Sequence, residues 1–334
     1  MPGIGVISNR NARLNKLSPK IKDRLTFIVG RGGEVASTGS LDDAQQAAEA
    51  FKQAAIDIVA ISGGDGTAHR TLELLLQVYG DTPLPPILLL PSGTMNMVPA
   101  SFGIQGSAVS AMLLTLARYR HNVPLRCVLR NLLRVNDHHA FMFGLGIAPR
   151  FMKLYYDDGD TTPLGASRLL ARCALDAARG GALARSLAES IELEYWVDDG
   201  LRREGRFRTL FCSFIEQLSL RFCPFPRAGW DRNVFETLMT DLEPVQLTRL
   251  LPELWLGTRR ALPGMPRGLA RTMELRLSRP EPYTLDGEVY APTATFSISA
   301  GPELRFVVPG FRLRRPDARV RTSEVGPWEM RFFV

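Results

Sequence analysis

Short apolar runs alternate with amphipathic stretches through the first third of the chain. Buried strands are predicted at residues 3–8, 34–38, 57–62 and 85–93, and helices at 15–30, 40–55 and 67–80. Ser40 can cap the second helix, and Asp43 three residues later completes a capping box. Because the strands are short, apolar and separated by helices, this part predicts a parallel sheet covered on both faces.

From about residue 125 the pattern changes to strands that follow one another directly. Alternating segments at 125–136, 138–148, 190–199, 207–215, 272–278 and 291–300 are interrupted by an Ala/Arg-rich helical segment at 167–189. Successive strands are typical of an antiparallel sandwich or barrel. We therefore predict an α/β protein with an N-terminal parallel-sheet α/β domain at 1–124, a C-terminal antiparallel β-sandwich domain at 125–310, and a basic and aromatic tail at 311–334.

The charge and the cysteine content indicate which partners and which thiol state to expect. The chain has 334 residues and a net charge of +7, which favours anionic partners such as nucleotides, nucleic acids or acidic lipid surfaces. Its four cysteines, Cys127, Cys173, Cys212 and Cys223, lack CxxC or metal-type spacing, so we expect reduced thiols. No secretory signal pattern or membrane-spanning run is visible. We expect a cytoplasmic chain, with peripheral association at the inner membrane surface as an open alternative.

The segment "ISGGDGT" at 61–67 runs from an apolar strand into a helix. Glycines at this point let backbone amides approach a ligand closely, and the positive helix end favours phosphate. A carboxylate between the glycines suits a nucleotide triphosphate accompanied by Mg²⁺. The alternative is a strand-to-helix turn in which Asp65 is a cap.

A second segment, "LLLPSGTMNM" at 88–97, also ends an apolar strand in Gly-Thr. The carboxyl ends of parallel strands meet at one edge of a sheet, so these loops are predicted to converge with the ends of the first two strands. The resulting candidate nucleotide-binding residues lie at four strand ends. They are Asn9, Asn11, Thr38, Gly63, Gly64, Asp65, Gly66, Thr67, Ala68, His69, Ser92, Gly93, Thr94 and Asn96.

A third segment, "PYTLDGEVYAP" at 282–292, predicts a hairpin turn at Asp-Gly. The pair Asp286 and Glu288 could also provide a base for an acceptor hydroxyl near a transferable phosphate. Neither a P-loop nor GxGxxG after the first strand nor a GxSxG elbow is present.

The order of "SNRNAR", "GGDGT", "PSGTMNM" and "LDGE" resembles the diacylglycerol kinase catalytic-domain family, which includes lipid kinases and is related to NAD kinases. The resemblance implies that the N-terminal domain binds ATP with Mg²⁺, and that the second domain binds a lipid acceptor at a membrane surface. It also implies that Glu288 accepts a proton, with Asp286 beside it and Asp65 orienting the reactants. The resemblance does not imply a nucleic-acid partner. It also does not assign the metal ligands.

Several positions depart from the family pattern. Ala68, His69 and Arg70 follow GGDGT where the family usually has an aliphatic residue and then Asn-Glu, and Met97 stands where it usually has Asp. "GLGIAPRF" lacks the acid of a later family motif, and "GWDRNVFE" is a poor counterpart of a metal-binding loop. Two other functions therefore stay open: a nucleotide- or lipid-binding protein without turnover, and a kinase for a soluble hydroxyl substrate of the NAD kinase type.

Overall fold

The computed structural model describes residues 3–12, 15, 20–30, 33–104, 106–310 and 320–326. The chain divides into two compact units, Met1–Arg130 with Glu303–Val334, and Asn131–Pro302. The described helices are α1 (Lys20–Val29), α2 (Leu41–Gln53), α3 (Asp65–Tyr79), α4 (Met97–Ser101), α5 (Ala108–Arg120), α6 (Ile147–Asp157), α7 (Pro163–Ala178), α8 (Ala182–Leu187) and α9 (Pro244–Leu256). The described strands are β1 (Ile4–Asn9), β2 (Gly33–Thr38), β3 (Ile58–Gly63), β4 (Ile87–Pro91), β5 (Leu125–Val135), β6 (His138–Ala140), β7 (Met142–Gly146), β8 (Ile191–Val197), β9 (Arg203–Phe207), β10 (Thr209–Ser213), β11 (Phe235–Thr240), β12 (Arg267–Ala270), β13 (Thr272–Leu285), β14 (Glu288–Val307) and β15 (Thr322–Val325).

A parallel sheet forms the centre of the first unit, as the sequence predicts. Its strands are ordered β2–β1–β3–β4, and the end of β14 extends the sheet by pairing Phe306 with Ile87 in parallel. Leu25 of α1 and Met112 of α5 pack with one face of the sheet in a single apolar cluster. Phe51 of α2 covers Gly5 of β1, where a Cβ would lie 2.7 Å from the ring. Helices therefore lie on both faces, which is why β1, β3 and β4 are largely apolar and buried.

The capping box predicted for the second helix is present at the start of α2. The Ser40 side chain accepts from the Asp43 amide, and the Asp43 carboxylate accepts from the Ser40 amide. The next helix differs from the prediction, because α3 begins at Asp65 rather than at Thr67. Asp65 and Gly66 are therefore part of the first turn of a helix and not of the preceding loop.

The second unit is built from antiparallel strands, in agreement with the predicted character of the C-terminal part. The main order is β12–β11–β10–β7–β13–β14, and β8 pairs with both β13 and β9. Phe143, Phe214, Phe235 and Phe296 lie in its apolar core. Bulges in β13 around the buried Glu281 change its register, so that one half of the strand pairs with β8 and the other with β7.

Two sequence predictions in this part were wrong in detail, and one helix was not predicted. The strand predicted at 138–148 is two strands, and α6 begins at Ile147 because Gly146, with φ of 80°, ends β7. The helix predicted at 167–189 is two helices, separated at Gly180, whose φ is 65°. The sequence patterns did not identify α9.

The boundary between the units lies within β5, and the C-terminal tail is described only in part. The unit boundary within β5 lies a few residues after the predicted domain limit at 124/125. Of the predicted tail at 311–334, only residues 320–326 are described, and β15 pairs there with β5. The remainder of the basic and aromatic tail lies outside the described residues. None of the helices in the described part of the chain combines the length and hydropathy needed to span a membrane.

Candidate functional site

The two glycine loops of the first unit are in direct backbone contact. A Cβ added to Gly93 would lie 2.2 Å from the Cα of Gly64, and one added to Gly64 would lie 3.1 Å from the Cα of Gly93. Gly63 is similarly restricted, because its Cβ would lie 2.4 Å from Thr67. The loops that end β3 and β4 therefore interlock, and their closest approach requires residues without side chains.

The Asp65 carboxylate links these loops to α4 through hydrogen bonds with backbone amides. Its Oδ2 accepts from the Met97 amide at 2.9 Å and its Oδ1 accepts from the Val98 amide at 3.0 Å. A carboxylate that accepts backbone amides at a helix start is stabilised by charge-assisted bonds and by the helix dipole. Asp65 therefore does not cap its own strand-to-helix turn, as one sequence interpretation held, but binds the first amides of a helix 32 positions further along the chain. Its predicted role in orienting reactants stays a prediction.

The side chains of Asn96 and Ser92 form hydrogen bonds at the second loop. The Asn96 side chain accepts from the Gly93 amide at 2.9 Å and donates to the Gly93 carbonyl at 3.0 Å, while Asn96 itself has a left-handed φ of 49°. The buried Ser92 hydroxyl lies 3.0 Å from that of Ser62. Thr94, between these two residues, is half-buried.

The ends of β1 and β2 lie at the same edge. Asn9 donates to the Thr67 hydroxyl at 2.8 Å and accepts from the Asn11 amide, and Asn11 donates in turn to the Gly39 carbonyl. The Thr38 hydroxyl is buried and donates to the Ser8 carbonyl at 3.4 Å. The structure therefore brings Asn9, Asn11, Thr38 and the glycine loops together at one edge of the sheet, as predicted.

The side chains of Ala68 and His69, two further predicted nucleotide-binding residues, are buried in α3. Ala68 and His69 are 4% and 1% exposed, and His69 Nε2 lies 3.8 Å from Glu73 Oε2 within α3. Any contact of these two residues with a ligand would have to use the backbone.

Arg10 belongs to this edge, and the sequence patterns did not single it out. Its guanidinium covers Gly39, where a Cβ would lie 2.2 Å from Arg10 Nε. Asp43, on the other side of Gly39, accepts from the Gly39 amide at 2.7 Å. The exposed Arg10 therefore adds a positive charge at the end of β1, and the only sequence signal was its place within "SNRNAR".

The geometry of the glycine loops fits a phosphate chain. Gly64 precedes the 15-residue helix α3 and has no side chain that could cap its first turn. A helix start of this kind favours anions through its amides and its dipole. The fit to a metal held by protein ligands alone is poor, because the described residues contain no group of three or more His, Cys, Asp or Glu that could bind one.

Asp286 and Glu288 lie on one tight hairpin of the second unit. Asp286 and Gly287 have φ values of 51° and 92°, and Leu285 pairs with Glu288 across the turn. This is the Asp-Gly hairpin that the sequence predicts. Asp286 is 5% exposed, and its Oδ1 accepts from the Phe141 and Met142 amides at 3.0 and 2.9 Å.

Glu288, the first residue of β14, is half-buried. The adjacent Gly287 carbonyl accepts from the Tyr156 hydroxyl of α6 at 3.3 Å. The predicted catalytic residues are therefore distributed over both units: Asp65 with the glycine loops in the first, and Asp286 with Glu288 in the second.

Comparisons with known proteins concern the first segment of the chain and the fold. Residues 5–127 match the family model of the diacylglycerol kinase catalytic domain. Among solved structures, a diacylglycerol kinase from Bacillus anthracis has the same fold with a TM-score of 0.63 and 15% identity, covering 95% of this chain and 98% of that one. A second structure from that organism, whose diacylglycerol kinase assignment is itself an inference, has a TM-score of 0.67 and 14% identity with the same coverage.

No curated protein sequence matches the chain. The matched segment contains both glycine loops, Asp65 and the ends of β1–β4, and the structural likeness extends over nearly the whole chain. Residues 5–127 therefore form a segment that is similar to the diacylglycerol kinase catalytic domain.

Proposed function

We propose that the protein is an ATP-dependent lipid kinase that transfers the γ-phosphoryl group to the hydroxyl of a diacylglycerol-like lipid. The observation that supports this most strongly is the pair of interlocked glycine loops at the start of α3, within a segment that matches a kinase family. Phosphoryl transfer depends mainly on positioning and on neutralisation of charge, which loops of this kind can provide.

The first unit supplies the nucleotide site in this proposal. The amides at the start of α3 and the backbone of Gly64 and Gly93 bind the phosphates, since side chains are excluded there. Arg10 adds a positive charge at the end of β1. Asp65 keeps the two loops in register by binding the Met97 and Val98 amides.

Mg²⁺ enters the proposal as a partner of the nucleotide. Protein sites commonly hold this ion through one or two carboxylates together with substrate phosphates. Asp65 is the carboxylate at the glycine loops and could contribute a remaining lone pair. The ion supplies neutralisation of phosphate charge when it is bound.

Glu288 is the proposed general base. It accepts the proton of the lipid hydroxyl as that oxygen bonds to the γ-phosphorus and the bond to the β–γ bridging oxygen breaks. The Asp-Gly turn and the amide contacts of Asp286 fix the start of β14, so that the Glu288 carboxylate has a defined position. Asp286 acts as a positioning residue in this account.

The test is a labelled-phosphate assay with purified protein, ATP, Mg²⁺ and a total lipid extract. We expect a labelled lipid from the wild type and a loss of roughly 10²–10⁴-fold in rate for Glu288→Gln. Glu274→Gln, at an exposed position of β13, is the matched control and should keep full activity. Full activity of Glu288→Gln would exclude the assigned role of Glu288.

A second candidate function has an observation of its own. The carboxylates of both Asp65 and Asp286 are bound by backbone amides, and Arg70 and Met97 replace family acids. These features would suit a nucleotide- or lipid-binding protein without turnover. Calorimetric binding of ATP with no labelled product from any lipid extract would favour it, whereas a product formed from NAD without lipid would indicate a kinase for soluble substrates.

A further inference from the structure

Helix α6 is held near both of its ends by contacts that have no part in the mechanism proposed above. It follows β7 directly, and it carries Arg150 near its start and Tyr156 near its end. Because β7 pairs with the last residues of β13, the start of α6 is fixed to the strand that leads into the Asp286–Gly287 turn. The helix therefore lies beside the hairpin that carries Glu288.

Arg150 connects the start of α6 to two other parts of the second unit. Its side chain is 15% exposed, and its Nη2 lies 3.0 Å from Oε2 of Glu281, whose side chain is 8% exposed. Its Nη1 donates to the Leu187 carbonyl at the end of α8, at 3.3 Å, and to the Glu189 carbonyl. Removal of one partner of a buried ion pair leaves a charge without compensation, so these contacts oppose movement of the helix.

The same Glu281 carboxylate has a second arginine partner. Arg279 Nε lies 2.7 Å from Glu281 Oε1, but the Arg279 side chain is 59% exposed and belongs to the same strand as Glu281. Both arginines therefore bind one carboxylate, although only Arg150 links that carboxylate to α6. This difference provides a comparison between the stability of the ion-pair cluster and the position of the helix.

Tyr156, near the other end of α6, contacts the hairpin. Its hydroxyl donates to the Gly287 carbonyl at 3.3 Å, and its ring centre lies 5.6 Å from that of the buried Tyr155. Met152, one turn earlier in the helix, has its Cε 3.6 Å from the Cβ position of Gly287. The Gly287 carbonyl belongs to the planar peptide that joins Gly287 to Glu288, so its orientation sets the direction in which β14 begins.

The peptide between Gly287 and Glu288 needs a restraint of this kind, because glycine permits many backbone conformations. The contacts of the Asp286 carboxylate with amides at the start of β7 lie before Gly287 in the chain and do not fix the peptide that follows it. Tyr156 binds that peptide from outside the two strands of the hairpin.

We propose that Tyr156 is a positioning residue for Glu288, and that Arg150 anchors α6 so that the Tyr156 hydroxyl stays within reach of the Gly287 carbonyl. The link to phosphoryl transfer rests on the proposed function, whereas the effect on the hairpin does not. A general base must lie within hydrogen-bond reach of the hydroxyl from which it takes the proton. Small displacements of such a group therefore slow the chemical step more than they weaken substrate binding.

The test is steady-state kinetics of Tyr156→Phe with ATP, Mg²⁺ and a water-soluble short-chain diacylglycerol, accompanied by thermal unfolding. We expect kcat to fall about tenfold and KM for both substrates to stay within about twofold of the wild-type values. The unfolding midpoint should not change, because Tyr156 is 45% exposed and phenylalanine keeps the contact with the Tyr155 ring. Wild-type kcat in Tyr156→Phe would overturn the proposal.

Arg150→Gln and Arg279→Gln form the matched pair, since each removes one arginine from Glu281. Arg150→Gln should lower kcat about as much as Tyr156→Phe, and the double variant should lose little more, because both residues act through one contact. Arg279→Gln should keep the wild-type kcat even where its unfolding midpoint is lower. Equal losses of kcat in the two arginine variants would overturn the role of Arg150. If Arg150→Gln does not fold, Tyr156→Phe alone decides the proposal.

Amide hydrogen exchange at the hairpin separates this inference from the proposed function. In Tyr156→Phe the amides of Gly287 and Glu288 should exchange at least about threefold faster than in the wild type, whether or not a lipid is phosphorylated. A wild type that forms no phosphorylated product would refute the kinase, and faster exchange in the variant would still support the hairpin contact. Unchanged exchange would contradict positioning through the hairpin. If kcat nevertheless fell, Tyr156 would act on the substrate directly.

Discussion

Gly64 and Gly93, 29 positions apart in the sequence, touch through their backbones, and a methyl group at Gly93 would clash with the Cα of Gly64. This contact joins the loop after β3 to the loop after β4. Phosphate binding at such a place depends on backbone amides. The distance between the two backbone segments therefore matters more than the identity of any side chain.

Alanine substitutions at the two loop glycines should have graded effects. In Gly93→Ala the new Cβ would lie 2.2 Å from the Gly64 Cα, whereas in Gly64→Ala it would lie 3.1 Å from the Gly93 Cα. We expect Gly93→Ala to lower the free energy of unfolding by about 1–3 kcal/mol and to weaken ATP binding, with a smaller effect for Gly64→Ala. Denaturant unfolding and calorimetry measure the two quantities.

Gly310→Ala is the matched control for this series, because nothing lies within 4 Å of its Cβ position. It should change the free energy of unfolding by less than about 0.5 kcal/mol. Equal effects of all three substitutions would contradict the importance of the close approach.

Removal of the Asp65 carboxylate should loosen the second loop. Asp65→Ala takes the acceptors away from the Met97 and Val98 amides and should cost about 1–3 kcal/mol of stability together with ATP affinity. Asp65→Asn keeps one acceptor and should cost less. If Asp65→Asn abolishes phosphoryl transfer while unfolding and ATP binding are unchanged, Asp65 acts on the reactants rather than on the loops.

The convergence at the sheet edge could be predicted because it follows from local patterns. Alternating strands and helices imply parallel strands, and parallel strands end at one edge, which brings Asn9 and the glycine loops together. The Asp-Gly hairpin is likewise local, since two residues with positive φ are enough to specify it.

Other features could not be predicted, because they depend on long-range contacts. The partners of Asp65 lie 32 and 33 positions away, and those of Asp286 lie 144 and 145 positions away. The helical break at Gly180 is local by contrast: the Gly180–Gly181 pair marks it in the sequence, and the Asp176 carboxylate accepts from the Ala184 amide at 2.8 Å. Helix α9 could have been predicted, because Leu247, Leu250, Leu251 and Leu254 follow the helical spacing i, i+3, i+4, i+7.

The hairpin that carries Glu288 should depend on Asp286 for its position. Asp286→Ala removes acceptors from the Phe141 and Met142 amides and places alanine at a left-handed φ of 51°. We expect a loss of about 1–3 kcal/mol in the free energy of unfolding and a matching loss of activity. Asn tolerates this conformation and keeps one acceptor, so Asp286→Asn should retain most of both. A folded but inactive Asp286→Asn protein would instead indicate direct catalysis.

The contact between Asp43 and Gly39 should make stability fall in acid. The Gly39 and Ser40 amides bind the Asp43 carboxylate and hold its pKa below the ordinary value of 3.8. A carboxyl whose pKa is lowered by folding binds fewer protons in the folded state than in the unfolded state. Its stabilising contribution is therefore complete above the unfolded pKa, and it is lost as the pH falls through the folded one.

Asp43→Asn tests this directly, through thermal unfolding at a series of pH values. We expect the variant to be less stable than the wild type near neutral pH, and the difference to shrink as the pH falls below 3.8. Ser40→Ala removes the other half of the capping box without removing a carboxyl, so its deficit should remain largely constant over the same range. A deficit of Asp43→Asn that stays constant into acid would show that it comes from altered contacts of the side chain and not from the charge of Asp43.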